Sequence, residues 1–141
     1  MIATLSIALS IIFIFLSLIH FYWLTGGQWG LKYVIPSKRN RVDFPPPPKF
    51  ATFIVAVVLA LFGLIYLLKL KTINIPFPSS LSYYAYWIIP SIFILRAIGE
   101  FKYVGLFKTI KNTEFAKADN KWFIPLCLII GIIGMILQLI K

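Results

Sequence analysis

The sequence predicts an all-α integral membrane protein, a four-helix bundle in which consecutive transmembrane helices are antiparallel neighbours. Its residues are 60% hydrophobic and only 13% charged, and its mean hydropathy is +0.91. An α-helix rises about 1.5 Å per residue and a hydrocarbon core is about 30 Å thick, so about 20 apolar residues are needed to cross it. Four segments of the 141-residue chain meet this length. We expect one transmembrane domain over residues 1–141, with helices at about 3–24, 50–68, 83–103 and 122–140.

The first segment is expected to be a helix that stays in the membrane. Its apolar stretch, Ile2 to Leu24, has no preceding basic region and no Ala-x-Ala exit, as a cleaved signal peptide would have. The third segment is interrupted by Pro90 and carries Arg96 and Glu100. Tyr and Trp prefer the headgroup zone, and they lie at most of the segment ends: Tyr22, Trp23, Tyr83, Tyr84, Trp87, Tyr103 and Trp122.

The loops differ in stiffness. Loop 1 begins with the Gly-rich, aromatic segment from Thr25 to Gly30 and ends with four prolines, Pro45 to Pro48, which predict a polyproline II spacer. The second loop contains Ile75-Pro76-Phe77-Pro78, so it is expected to be short and rigid. Helices two and three should therefore be adjacent.

The distribution of basic residues predicts the orientation, because Lys and Arg near span ends are retained in the cytoplasm. Loops 1 and 3 carry ten of them, whereas the second loop and the C-terminus carry Lys69, Lys71 and Lys141. Both termini are thus expected outside, with loops 1 and 3 cytoplasmic and lying against membrane lipid. These residues flank apolar runs and form no continuous patch, so the charge of +10 does not indicate nucleic-acid binding. The ten are Lys32, Lys38, Arg39, Arg41, Lys49, Lys102, Lys108, Lys111, Lys117 and Lys121.

Helical spacing predicts a polar cluster between helices one and three. At 100° per residue, Ser6, Ser10, Ser17 and His20 lie within an arc of about 80°. Arg96, Glu100 and Tyr103 lie within about 60° of one another on the third predicted helix. The topology puts His20, Arg96 and Glu100 at a similar depth, at the cytoplasmic ends of their helices.

Helices two and four carry stripes of small residues, which let helix backbones approach closely in a membrane. We interpret both stripes as packing faces. Cys127, the only cysteine, is interpreted as a small buried residue because the sequence identifies no base beside it. The stripes are Ala56, Ala60 and Gly63 on one helix, and Cys127, Gly131, Gly134 and Gln138 on the other.

Three separated motifs, in this order, resemble a family of small four-span bacterial membrane proteins catalogued as domain of unknown function 3995. They are His20-Phe21-Tyr22-Trp23 with Gly26-Gly27-Gln28-Trp29-Gly30 and Pro36; Arg96-Ala97-Ile98-Gly99-Glu100-Phe101-Lys102-Tyr103-Val104-Gly105; and Thr113-Glu114-Phe115-Ala116 with Asp119 and Pro125-Leu126-Cys127. The resemblance implies a bacterial inner membrane and four spans, but no reaction. It draws attention to the polar motif residues His20, Arg96, Glu100 and Asp119.

The sharper hypothesis is a polar, aromatic-rimmed site, closed over by loops 1 and 3, that binds a lipid-like or small anionic molecule. No catalytic residue is identified, so whether the chain is an enzyme stays undetermined. No cofactor is expected, and one His with one Cys makes a metal site a poor fit. The Gly-rich segment of loop 1 lacks the Lys-Ser/Thr of a nucleotide-binding loop. The candidate residues are His20, Trp23, Arg96, Glu100, Tyr103 and Asp119.

The alternative is structural. Arg96 and Glu100 would form an i, i+4 pair, Asp119 and Asn120 would cap the fourth helix, and His20 would bond a backbone carbonyl. The protein would then be an accessory that packs beside a partner or a second copy of itself. A small transporter is the third class, although its usual carboxylate in the first helix is lacking here.

Overall fold

A computed structural model of the protein describes residues 1–36, 47–70 and 75–140, and within these ranges it is helical without strands. The prediction of an all-α fold is confirmed. A π-helical turn, Asp119–Phe123, joins the last two helices without a break. The helices are α1, Ile2–Leu24; α2, Leu31–Val34; α3, Lys49–Leu68; α4, Ser79–Ile98; α5, Glu114–Ala118; and α6, Ile124–Leu139.

Four helical segments are long and apolar enough to cross a membrane: Ile2–Leu24, Lys49–Leu68, Ser79–Ile98 and Glu114–Leu139. The chain is therefore a multi-pass membrane protein with the predicted number of spans. The first two spans begin and end within one residue of their predicted bounds.

The third span is displaced from its predicted bounds of 83–103. It begins at Ser79, directly after Pro78, whose fixed φ favours a helix start. It ends at Ile98 because Gly99 takes a left-handed conformation with φ +86°. Glu100 and Tyr103 therefore lie beyond the helix, and the predicted shared face with Arg96 is wrong.

The fourth span begins earlier than the predicted residue 122. Thr113 caps it, because the Thr113 Oγ1 atom accepts a hydrogen bond of 3.0 Å from the Ala116 N–H. The prediction that Asp119 and Asn120 cap this helix is wrong, since both residues lie inside the helical segment.

The α1 and α3 helices pack as an antiparallel pair. Ser10 Oγ donates to the Gly63 carbonyl at 2.8 Å, and Ser17 Oγ donates to the Ala56 carbonyl at 2.7 Å. Both acceptors belong to small residues, whose backbones α1 can approach closely. The predicted packing face of the second span is confirmed.

The α4 and α6 helices form a second close pair. A Cβ atom added at Gly134 would lie 2.7 Å from Pro90 Cβ, and one at Gly131 would meet the Ile94 side chain. Cys127 on the same stripe is buried. The packing face predicted for the fourth span is therefore also confirmed.

Aromatic side chains join the two pairs into one bundle. Phe13 on α1 is fully buried, and its ring centroid lies 5.8 Å from that of Tyr66 and 5.3 Å from that of Phe93. The α3 and α4 helices meet near one end, where Tyr86 Oη donates to the Ile65 carbonyl at 3.2 Å. The predicted adjacency of the second and third spans is therefore limited to this end, whereas the extensive contacts are those of α1 with α3 and of α4 with α6.

The close contact of α1 with α3 predicts a strong effect of Gly63→Leu. A Cβ at this position would lie 2.9 Å from Ile14 Cδ1 and 3.3 Å from the Ser10 carbonyl oxygen. We expect the free energy of unfolding to fall by about 1–3 kcal/mol, as for overpacked cores. Denaturant unfolding in detergent measures it. The control is Ala51→Leu at an exposed position of α3, and an equal loss in both variants would contradict the packing role.

Candidate functional site

The candidate residues lie at one end of the bundle. At this loop end α1 terminates at Leu24, α3 begins at Lys49, α4 terminates at Ile98 and the fourth span begins at Glu114. The opposite, terminal end holds the start of α1 and the last residues of α6. The structure records contacts within two groups of candidates, one around Asp119 and one around His20.

Asp119 forms the centre of a buried ion cluster. Its side chain is fully buried, with Oδ1 3.0 Å from Arg96 Nη2 and Oδ2 2.9 Å from Lys108 Nζ. The Gly105 N–H also donates to Oδ2, at 2.9 Å. We call Arg96, Lys108 and Asp119 the ion cluster. Two cations share one carboxylate, so the cluster has a surplus of positive charge.

Lys108 is the cluster member that sequence reasoning missed. The sequence places it only among the basic loop residues that predict the orientation, but its side chain is only 1% exposed. Its ammonium donates to the Gly105 carbonyl at 3.0 Å, to Asp119 Oδ2 and to Asn120 Oδ1. These three acceptors use all three N–H donors, so Lys108 has none left for a ligand. No helical spacing links Lys108 to Asp119, because the loop between α4 and α5 sets their proximity.

Two glycines give that loop its shape. Gly99 and Gly105 have φ of +86° and +93°. Their backbones touch: a Cβ at Gly99 would overlap the Val104 carbonyl, and one at Gly105 would overlap the Ile98 carbonyl. Only glycine can occupy both positions. The contact folds the loop back onto the end of α4 and brings the Gly105 N–H and Lys108 to Asp119.

The π-helical turn contains the carboxylate. The Ile124 N–H donates to the Asp119 carbonyl, five residues earlier, instead of to the residue four earlier. Such wide turns inside α-helices are frequent at functional sites. Here it holds Asp119 fully buried while Lys121 and Trp122 in the same turn are exposed.

Glu100 and Tyr103 do not join the ion cluster. Glu100 is exposed, and the carboxylate that pairs with Arg96 belongs to Asp119, 23 residues further along the chain. The i, i+4 pair predicted for Arg96 and Glu100 is therefore wrong. Tyr103 is half-buried, with its ring centroid 5.3 Å from Lys102 Nζ.

The second group lies at the end of α1. His20 Nδ1 is 2.7 Å from the Leu16 carbonyl oxygen, so the ring donates from Nδ1, as the structural alternative predicted. The His20 ring also contacts that of Trp23, with centroids 5.0 Å apart. Within the described ranges, His20 forms no hydrogen bond or ion pair with Arg96 or Glu100.

The Gly-rich segment folds back on α1. Trp23 Nε1 donates to the Trp29 carbonyl at 2.8 Å, and the Gly27 N–H donates to the Tyr22 carbonyl at 3.1 Å. Gly26 takes a left-handed φ of +100°. This first motif therefore forms a fixed turn at the end of the first span.

Loop 1 contacts the start of the fourth span, where its helix α2 packs against α5. Leu31 of α2 and Phe115 of α5 are both buried. Predictions for loop 1, the second loop and the C-terminus lie partly outside the described residues, namely those on Lys38, Arg39, Arg41, Pro45, Pro46, Lys71 and Lys141.

A family model described as a protein of unknown function (DUF3995) matches residues 13–134. This range contains all six candidate residues and the three motifs, so the resemblance noted from the sequence is confirmed. No curated protein and no solved structure matches the chain.

The ion cluster predicts that Asp119→Asn is strongly destabilising. The change leaves the buried Lys108 ammonium without its counter-ion, and removing one partner of a buried pair costs about 3–5 kcal/mol. Thermal or denaturant unfolding of the purified protein measures the loss. The control is Glu114→Gln, whose 3.8 Å pair with Lys117 is exposed and contributes little. Wild-type stability in Asp119→Asn would show that the cluster does not hold the loop.

Two glycine variants separate backbone strain from close packing. Gly26 and Gly105 both have left-handed φ, but a Cβ at Gly26 would meet no atom within 4 Å. Gly26→Ala should cost only the left-handed strain, about 1–2 kcal/mol. We expect a larger loss of stability for Gly105→Ala, because its Cβ overlaps the Ile98 carbonyl. Equal melting temperatures in the two variants would contradict this.

Proposed function

The chain belongs to the DUF3995 family of proteins of unknown function, and we propose that it is a membrane protein that binds an anionic amphiphile at the loop end, through Arg96. One observation carries this proposal. Arg96 Nη2 is bonded to Asp119, whereas Arg96 Nη1 is buried without a hydrogen-bond partner in the described ranges.

An anionic oxygen fits the free donor. Arg96 Nη2 rests on Asp119, and the side chain as a whole is 33% exposed, although the Nη1 atom itself is buried. A buried donor without an acceptor costs free energy, and a phosphate or carboxylate oxygen offers a charge-assisted bond to it. Lys108 does not compete for the ligand, because its own donors are fully used.

Charge around the site favours an anion. The ion cluster has one positive charge in excess, and four exposed lysines follow or flank it in the chain. Each basic residue near an anionic membrane surface contributes about 1 kcal/mol of attraction. The orientation that we propose, with loops 1 and 3 on the cytoplasmic face of a bacterial inner membrane, brings these residues to anionic lipid headgroups. The lysines are Lys102, Lys111, Lys117 and Lys121.

Exposed apolar side chains in the same loop favour an amphiphile over a soluble anion. Phe101 and Phe107 are 62% and 63% exposed, and their ring centroids lie 6.2 Å apart. The Leu106 N–H bonds to the Ala97 carbonyl at 2.8 Å, which fixes these rings beside the end of α4 that carries Arg96. In this proposal His20, Trp23 and Tyr103 form the aromatic rim of the loop end, and Glu100 lies outside the site.

An accessory role is the second candidate, and an apolar groove is the place where a partner helix would replace lipid. The groove runs along α1 beside α3, and Ile11, Phe15 and Leu18 contribute highly exposed side chains to it. A helix of a partner protein or of a second copy could lie there. Transport has less support, since the acidic residues within the described ranges, Glu100, Glu114 and Asp119, all lie at the loop end.

Native mass spectrometry of protein released gently from its host membrane tests the proposal. We expect the wild-type protein to retain an anionic amphiphile. Arg96→Gln should weaken its binding about 10- to 100-fold, because a hydrogen bond to a charged group contributes about 1.5–3 kcal/mol. Arg96→Lys keeps the charge and should lose less. Lys117→Gln, on an exposed lysine, is the control and should weaken binding at most about fivefold, because a single basic residue near the surface contributes about 1 kcal/mol.

The outcomes separate the candidate functions. Arg96→Gln also removes a partner of Asp119, so its thermal unfolding is measured in parallel, and Arg96→Lys keeps that ion pair. Equal retention of the amphiphile by the wild-type protein and all three variants would exclude Arg96 as the binding residue. Wild-type protein that carries no amphiphile but a stoichiometric protein partner would establish the accessory role instead.

A further inference from the structure

Three buried polar side chains at the terminal end lack partners. Ser6 on α1, Tyr66 on α3 and Gln138 on α6 are 0%, 1% and 5% exposed. Within the described ranges, Ser6 Oγ, Tyr66 Oη and Gln138 Oε1 have no hydrogen-bond partner. They differ from the ion cluster in being uncharged and in lying at the other end of the bundle.

Helix register brings Ser6 next to Tyr66. Ser10 bonds to Gly63, and Ser17, seven residues later on α1, bonds to Ala56, seven residues earlier on α3. The two helices are therefore antiparallel with a constant register. The same register places residue 6 opposite residue 67, beside Tyr66. Ser6 faces α3 as Ser10 and Ser17 do. The residue opposite it is Leu67 instead of a small residue, and among the described residues no carbonyl accepts a hydrogen bond from Ser6 Oγ.

Close packing brings Gln138 to the same place. Tyr66 Oη lies 3.0 Å from the position that a Cβ of Gly134 would occupy, so the hydroxyl reaches the surface of α6. Gln138 follows Gly134 by four residues and therefore lies one turn further along the same face. Register and packing thus place unpartnered polar atoms from three helices at the same end of the bundle, within about one helical turn of one another along its axis.

We propose that Ser6, Tyr66 and Gln138 form a buried hydration site, which holds one water molecule or a short chain of them. Lipid around the spans offers no hydrogen bonds, so these atoms must be satisfied inside the bundle. Water matches them: it accepts from the Tyr66 hydroxyl, donates to Gln138 Oε1 and can do either with the Ser6 hydroxyl. Ordered waters in proteins typically bridge two to four such groups.

The neighbouring tyrosine shows the contrast. Tyr86 is also buried, and its ring centroid lies 5.7 Å from that of Tyr66, but its hydroxyl donates to the Ile65 carbonyl. Tyr66 has no such acceptor among the described residues, and phenylalanine would fill the same space without a buried hydroxyl. The Tyr66 hydroxyl is therefore the position in this part of the core at which we expect water to bind.

Radiolytic hydroxyl labelling, read by mass spectrometry of the protein in lipid nanodiscs, tests this site. Hydroxyl radicals form from water at the site itself, so a buried ring is labelled only where water is bound. We expect Tyr66 to be labelled although it is 1% exposed, whereas Phe115, 2% exposed and with its ring 6.4 Å from that of Phe123, stays unlabelled. The double variant Ser6→Ala with Gln138→Leu should lose the Tyr66 labelling.

A matched control uses another buried serine. Ser17→Ala removes a hydroxyl that already has a protein acceptor, so Tyr66 labelling should not change. Tyr66 labelling no higher than that of Phe115 in the wild-type protein would overturn the proposal, as would unchanged labelling in the double variant. If the double variant fails to fold, Phe115 becomes labelled in it. The proposal is then decided by comparing the labelling of Tyr66 with that of Phe115 in the wild-type protein.

Discussion

The loop end of this protein depends on one buried carboxylate. Asp119 binds Arg96 from the third span, Lys108 from the following loop and the Gly105 backbone. A charge this deeply buried is tolerated only when it is paired and hydrogen-bonded. The same contacts tie the end of α4 to the fourth span and close the loop between them. The shape of the loop end therefore follows from the need to satisfy Asp119.

The family motifs acquire structural meaning at this end. The first motif forms the turn in which Trp23 bonds the Trp29 carbonyl, and the second provides Arg96 and the two touching glycines. The third provides the Thr113 cap and Asp119. The α2 helix, which follows the first motif, packs against α5 in the third. The matched residues thus build a single joined surface at the loop end, although they are far apart in the chain.

Positive charge and hydrogen-bond supply explain why the proposed ligand is anionic. Lys108 is saturated and structural, whereas Arg96 keeps a free donor next to exposed Phe101 and Phe107. At the terminal end, the unpartnered polar atoms are neutral and lie among aromatic rings. Water can satisfy such atoms, whereas the Lys69 ammonium at this end bonds to the Leu137 carbonyl at 3.0 Å. The two ends of the bundle are therefore suited to different small molecules.

The sequence by itself determined the number of spans, the bounds of the first two and the packing faces of the second and fourth, because apolar length and small-residue spacing are properties of each segment alone. It also drew attention to Arg96 and Asp119, and its structural alternative for His20, a hydrogen bond to a backbone carbonyl, is the one observed. Tertiary structure alone decided the pairing. Gly99 ends α4 and removes Glu100 from the face of Arg96, and the fold of the loop then brings Lys108 to Asp119. Such contacts depend on how a loop closes between distant residues, and helical periodicity carries no information about that closure.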